Sequence, residues 1–205
     1  MKSALIVIGG FLAIVILVLV VVGLSAVGAY NGLVGKSQAT DASWAQVQNV
    51  YQRRSDLIPN LVQTVQGAAS FEKGTLVEVA QARASVGRMT INSNQAPQTD
   101  EQLAQFQQAQ GQLGNALSRL MVVSEKYPEL KSNANFQDLQ RQLSETEDGI
   151  TSVRASFNTV VQDYDTAVKS FPTVLFASVM GFQPKPYFQA EQTSQVAPAV
   201  KFDFK

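Results

Sequence analysis

The chain has 205 residues, 16 basic against 16 acidic side chains, and neither histidine nor cysteine. One domain with a real core fits that length, and charge neutrality offers no basic face for nucleic acid. The two zeros exclude Ser-His-Asp and Cys-His catalysis, CxxC redox chemistry, Cys/His zinc sites, histidine-ligated haem and disulfides, so neither metal nor cofactor is expected.

The first element is apolar on every side. No residue from Ser3 to Gly35 is charged, and Ala4 to Leu24 is 21 residues of almost unbroken hydrocarbon. At about 1.5 Å per residue that run reaches roughly 30 Å, the hydrocarbon thickness of a bilayer. The expectation is a single-pass transmembrane helix over residues 4–26. A cleaved signal peptide is the competing reading. Met1-Lys2 would be its basic start and Val27-Gly28-Ala29 its cleavage site, but signal cores run only about 7 to 15 residues. Lys2 and the amino terminus precede the span, whereas Lys36 after it is offset by Asp41. Positive-inside counting therefore puts the amino terminus inside and the carboxy-terminal domain on the extracytoplasmic side of the membrane.

A helical body follows. Residues 36–170 hold only Pro59, Pro97 and Pro128, and are rich in Gln, Ala, Leu, Val and Glu, which suit helices. Three apolar seams advance in steps of three and four: Trp44, Val47, Tyr51, Arg54, Ile58, Leu61, Val65; then Leu103, Phe106, Gln110, Leu113, Leu117, Leu120, Ser124, Tyr127; then Phe136, Leu139, Leu143, Thr146, Ile150, Val153, Phe157, Val160, Tyr164. Such narrow stripes belong to bundle or coiled-coil packing. The spacing predicts helices at about 30–69, 72–91, 100–127 and 135–169. Asn92 to Pro97 is a turn, Thr99 or Asp100 caps the next helix, and Ser132 to Asn135 supplies a further cap. Pro59 removes the bond from its own position to the carbonyl of Ser55, which predicts a kink without termination, since the seam continues through Leu61.

Arg54 occupies a seam position where an apolar residue belongs, and Glu147 lies beside the third seam. An unpaired buried guanidinium is very unfavourable. Arg54, or its neighbour Arg53, is expected to pair with a carboxylate such as Glu147 or Asp56. Two readings compete: a buried ion pair that fixes helix register, and a ligand or partner site. If the pair serves only register, Arg54→Leu should leave the thermal midpoint unchanged or raise it.

Ser170 to Phe182 reads as a short apolar helix, with proline at its entry and glycine at its stop. Phe171, Leu175, Phe176, Val179 and Met180 must be covered by the bundle, by a partner subunit or by the bilayer surface. Helix is not expected after Pro184-Lys185-Pro186. Residues 183–205 form an extended tail whose last residues, Val200 to Lys205, alternate like one strand. That strand either packs locally or adds to a neighbouring chain.

The chain also resembles a known family. Gln52-Arg53-Arg54-Ser55-Asp56-Leu57-Ile58-Pro59-Asn60-Leu61-Val62 is similar to the signature of LemA family proteins, with Thr64, Val65 and Gly67 after it and Trp44 before it. Glu125-Lys126-Tyr127-Pro128-Glu129-Leu130-Lys131-Ser132-Asn133-Ala134-Asn135-Phe136 is a second match. Arg154, Phe157-Asn158, Tyr164, Phe171-Pro172 and Gly181-Phe182 complete the likeness. Departures are Ala68 and Phe71, where family members commonly carry an aromatic residue and a histidine, and Asp165 in place of a frequent asparagine. The resemblance implies a bacterial membrane-anchored protein with a long helical bundle over residues 30–182. By association it also implies neighbours such as a membrane metallopeptidase or a TPM-domain protein.

Taken together the expectation is an all-α protein: a transmembrane helix, an antiparallel bundle of about four helices, a short apolar helix and an extended tail. It is expected to act as a non-catalytic scaffold or adaptor of the cell envelope, anchored in the lipid bilayer and working through homo-oligomerisation and protein partners. The alternative is a binding module that presents a groove to a peptide or lipid, framed by Pro59 and the Phe171–Phe182 helix. Hydrolysis by paired carboxylates is poorly served. Asp163 and Asp165 do not share a helix face, Glu145, Glu147 and Asp148 spread around theirs, and no nucleophile elbow or phosphate-cradling glycine loop occurs. Candidate interaction residues are Arg53, Arg54, Asp56, Pro59, Asn60, Glu147, Arg154, Asn158, Phe171 and Phe176.

Overall fold

A computed structural model describes residues 2–67, 72–89 and 95–189. The described residues form six helices: α1 Lys2–Gln66, α2 Lys73–Met89, α3 Asp100–Ser124, α4 Pro128–Lys131, α5 Ala134–Lys169 and α6 Val174–Ala177. No strand occurs among them, and the alternating run at Val200–Lys205 lies outside the described residues.

The apolar run and the first bundle helix are one element. α1 is 65 residues long, about 98 Å at 1.5 Å per residue. It contains a stretch apolar and long enough to cross a membrane, with mean hydropathy 3.0 and none of it buried. From Ile8 to Val27 its large apolar side chains are exposed, and burial begins at Leu33.

Beyond Leu33 the helices run up, down, up and down. α1 packs chiefly on α5 and α2 chiefly on α3. α5 is antiparallel to α1: Leu33 clusters with Tyr164 and Val168, and Arg54 meets Glu147. Gly149 faces Val50 where the two helices meet, and a Cβ there would touch Val50 Cγ1 at 3.4 Å, an ordinary contact. α3 runs parallel to α1, with Phe106 against Trp44 and Tyr51 at ring distances of 5.0 Å each. The gap between those two helices is filled by large rings, whose edge-to-face contacts add to their area burial.

All seven positions of the α1 seam from Trp44 to Val65 are buried, Arg54 included. The α3 seam is buried from Leu103 to Ser124. The α5 seam is buried from Phe136 to Phe157 except at the partly buried Val153, after which Val161 rather than Val160 takes the inner position. The step of four carries the stripe on to Tyr164 and Val168 along the face toward α1.

Helix ends follow local chemistry. Thr99 caps α3, its hydroxyl oxygen accepting the Gln102 N–H at 3.3 Å, and Asn133 caps α5, accepting from Asn135 and Phe136 at 2.9 and 3.2 Å. α1 runs through Pro59 without stopping. The carbonyl of Ser55, denied its usual donor, accepts instead from Arg83 Nε of α2 at 3.2 Å.

The segment read as one apolar helix from Ser170 to Phe182 is mostly turn. Only Val174–Ala177 is helical, the Phe171–Pro172 bond is cis, and Gly181 has φ +82°. The left-handed Gly181 ends the segment, and only one helical turn forms ahead of it. Ala177 is buried against Leu33, Tyr164 and Val168, and the Phe182 ring lies edge-on to Tyr30 at 5.7 Å.

Candidate functional site

The polar heart of the molecule is built where off-pattern residues of two seams meet. Arg54 of α1 is 3% exposed and Gln110 of α3 is also buried. Arg54 Nη1 pairs with Glu147 Oε1 of α5 at 2.9 Å. Its Nη2 donates to the Gln110 side-chain oxygen and to the Gln110 backbone carbonyl, the latter at 3.3 Å. The guanidinium also lies over the Tyr51 ring, 5.1 Å from its centroid. Glu147 is not sealed in: 52% of its side chain is exposed. Two donors in this node, Arg54 Nε and Gln110 Nε2, have no protein acceptor.

The node opens into a cleft between α3 and α5. A cavity of about 840 Å³ is lined by Tyr51, Arg54, Gln107, Gln110, Glu147 and Arg154 among others. A second of about 460 Å³ continues it along the same two helices, past Leu117, Met121 and Leu143. Gly114 and Glu147 border both. Gly114 presents no side chain to Arg54, where a Cβ would stand 4.0 Å from Nη1. One end of the cleft is therefore amide-rich and cationic, and the other is apolar.

A strap closes the polar end. Residues 182–189 carry no regular structure and run back along the bundle. Asn158 fixes them with two reciprocal bonds, donating to the Phe188 carbonyl and accepting its N–H, each at 2.9 Å. The Phe188 ring stacks on Trp44 at 6.1 Å and lies under the Arg154 guanidinium at 4.7 Å. The Gln189 carbonyl accepts from Arg154 and Gln107, both at 3.4 Å.

Lower on the strap, the buried Lys185 ammonium donates to Ser37 at 3.2 Å and to Thr40, and pairs with Asp41 at 3.3 Å. Its backbone N–H donates to Asp165 at 3.0 Å, and Lys169 meets the other Asp165 oxygen at 3.3 Å. Asp165 thus binds strap to helix.

Burial sets the titration of the nearby phenols. Removal from water pushes the Tyr51 hydroxyl above its ordinary 10.0, with Arg154 and Arg54 pulling it back and Glu147 pushing it up. Tyr164 and Tyr187 are raised first by burial and then by the Asp165 carboxylate.

The structure brings four of the sequence candidates together: Arg54, Glu147, Arg154 and Asn158 share the cleft and its strap. The others lie elsewhere. Arg53, Asp56 and Asn60 are on the outer face of α1, where Asp56 accepts from Gln52 at 2.7 Å rather than meeting Arg54. Pro59 marks the docking point of α2. Phe171 and Phe176 are at the foot of the bundle, remote from the cleft. The groove therefore lies between α3 and α5, and neither Pro59 nor the Phe171–Phe182 segment frames it. Gln110 stood in the second seam as a polar residue among apolar ones, and was not expected as a partner of Arg54. The strap, lacking any periodicity, left no comparable signal.

Known proteins place this arrangement in a lineage. The magnetosome protein MamQ 2 of Paramagnetospirillum magneticum is 27% identical over 179 residues, covering 78% of this chain and 64% of its own length. MamQ of Magnetospirillum gryphiswaldense is 26% identical over 196 residues, covering 86% of this chain and 71% of that one. Protein LemA of Metamycoplasma hominis is 20% identical over 170 residues, covering 83% and 73%. The chain thus spans a little under two thirds of the Paramagnetospirillum protein. The profile of the LemA family matches residues 43–202, from the start of the α1 seam to beyond the strap, and the protein belongs to that family.

Proposed function

We propose that the protein is a non-catalytic, membrane-anchored helical scaffold or adaptor of the bacterial cell envelope, working through homo-oligomerisation and protein partners. The observation that carries this reading is the continuity of α1. The same helix presents bare hydrocarbon from Ile8 to Val27 and then supplies the buried seam of the bundle from Leu33 to Val65. A rigid post of this kind holds a bundle at a fixed height and orientation above lipid. The names of the relatives, a magnetosome protein and LemA, denote no enzymatic activity. The sequence carries no histidine or cysteine to supply one of the commoner nucleophile–base pairs. The anchor sits in the inner membrane with the bundle on its outer side, and a membrane metallopeptidase or TPM-domain protein is the class of partner to test first.

Light scattering of the full chain in mild detergent tests the scaffold. The expected result is a mass above one protomer that survives dilution. A strictly monomeric species, with no crosslinked neighbour in native membranes, overturns it. Protease protection on intact cells tests the orientation, the expected outcome being cleavage of the bundle from outside.

A second reading is favoured by the cleft between α3 and α5. Its orphaned Arg54 and Gln110 donors beside an apolar trough suit an extended or helical peptide that brings its own carbonyl oxygens. Photocrosslinking from Gln108 on the cleft wall separates the two readings. Adducts within the oligomer support the scaffold, and adducts to a peptide segment of another protein support the groove.

A further inference from the structure

The foot of the bundle carries an apolar surface that the bundle does not cover. Phe171, Leu175 and Val179 are 80%, 61% and 88% exposed, and Val174 joins them. Single exposed apolar residues are ordinary. Four in one short loop need a partner.

The loop is held in place from within. The Val174 N–H donates to the Ser170 carbonyl at 2.8 Å and the Phe182 N–H to the Ala177 carbonyl at 2.9 Å. Gly181 turns the chain with φ +82°, so that Phe182 meets Tyr30 and Ala177 seats on Leu33. Outward presentation of Phe171, Leu175 and Val179 is therefore a property of the fold.

Position identifies the occupant. The loop is pinned to α1 at Tyr30 and Leu33. Those residues lie three and six positions past Val27, the last of the exposed aliphatic residues of α1, which is about 5 and 9 Å along the axis. The loop is thus seated within about two helical turns of the bare hydrocarbon of α1, with the exposed Tyr30 between them. Charge agrees. The exposed Lys36 flanks this level, as does the exposed Lys169, whose charge is shared with Asp165. The acids nearest to it are engaged, Asp165 with Lys169 and the Lys185 backbone, Asp41 with the Lys185 ammonium. The nearest exposed acid on α5 is Asp163, more than a turn farther from the foot. Aromatic and aliphatic residues with a basic rim, set at the end of a bilayer-length helix, match the headgroup zone of a lipid surface.

We propose that the Phe171–Val179 loop docks into the headgroup region of the bilayer as a collar around the exit of α1, giving the bundle a second point of contact with lipid. This rests on the reading that α1 crosses the membrane, and the two ideas can be tested apart. The chain has no cysteine, so single environment-sensitive labels go on Ile16→Cys, Leu175→Cys, Val179→Cys and Gln137→Cys of the full chain. Each variant is placed in phosphatidylcholine–phosphatidylglycerol vesicles carrying spin-labelled lipid at a shallow or a deep position. The replaced foot and control residues are exposed, and unchanged circular dichroism verifies the fold. Quenching at position 16 should be strongest with the deep probe. Positions 175 and 179 should be quenched by the shallow probe at least about twofold more than position 137. Quenching at 16 with positions 175 and 179 indistinguishable from 137 overturns the collar and leaves the anchor standing. Loss of quenching at 16 as well overturns both. Blue-shifted but unquenched labels at 175 and 179, reverting on dilution in lipid, would show a second copy covering the loop and also overturn the proposal.

Discussion

Arg54 carries a full positive charge into a seam whose neighbours are Tyr51 and Ile58, and every nearby polar contact follows from that intrusion. The partner carboxylate, Glu147, is half exposed, so the pair is screened more than a sealed one. Gln110 is the deeper dependent. Arg54→Leu alone would gain about 1.5–3 kcal/mol of apolar burial. It would also strip Gln110 of its side-chain donor, at about 1–3 kcal/mol. The two effects nearly cancel, which agrees with the unchanged midpoint expected from a pair that serves only register. The informative variant is Arg54→Leu with Gln110→Leu, which should raise stability by about 1–4 kcal/mol. Glu147→Ala, leaving the guanidinium without its counter-ion, should lower it by about 1–2 kcal/mol. Thermal midpoints of the detergent-solubilised chain check both, at about 2–4 °C per kcal/mol for a chain of this size. A double variant that melts earlier than wild type would show the node to be essential for packing. Arg54 was legible as a break in its seam, and Gln110 only as a member of the other. Their meeting was not, because it depends on the relative register of helices separated by 56 positions in the chain.

At the scale of elements, Pro59 is the instructive case. Proline inside a helix is less favourable than alanine by about 3 kcal/mol. Here the loss is put to use, since the freed Ser55 carbonyl becomes an acceptor for Arg83 of α2. Pro59→Ala should restore the internal bond and raise the midpoint by several degrees. It should also loosen α2, because Arg83 then competes with a local N–H for one oxygen. Amide exchange across Lys73–Met89 checks this: faster exchange is expected there together with slower exchange in α1. Unchanged α2 protection would mean that the Arg83 bond contributes nothing to its docking. The sequence made continuation through Pro59 readable from the uninterrupted seam. The donor from α2 was not readable, since no local pattern marks a side chain that reaches a backbone carbonyl. Ser170–Phe182 misled in the opposite way. Its composition was apolar enough for a core helix, but only one turn of it is helical and Ala177 alone is buried.

Across the whole molecule the aromatic layer is the part most sensitive to alkali. Tyr51, Tyr164 and Tyr187 all hold their protons more tightly in the fold than the ordinary 10.0, chiefly through burial. Below pH 10 these phenols are neutral folded or unfolded, and their contribution is fully present. Above it the unfolded chain sheds protons that the bundle retains, so stability falls as pH rises toward and through the folded values. Midpoints recorded from pH 8 to 12 should decline beyond about pH 10, and Tyr51→Phe with Tyr164→Phe should flatten that decline. An identical slope in the double variant would place the alkaline transition elsewhere. Fold class and three seams were legible at this scale because helical periodicity is a local signal repeated many times, whereas the fusion of the apolar run with the first bundle helix and the short α4 were not. The strap was not, because its hold on the bundle comes from Lys185, Phe188 and the main chain, which reach residues far away in sequence without repeating anything.

The unbroken course of α1 through residues 24–33 makes the azimuth of the domain a matter of counting. Each residue added or removed there would swing the bundle by about 100° about the helix axis and shift its height by about 1.5 Å. Two chains with identical bundles and leaders differing by one amino acid would then face different neighbours in the plane of the bilayer, with no contact inside either bundle changed.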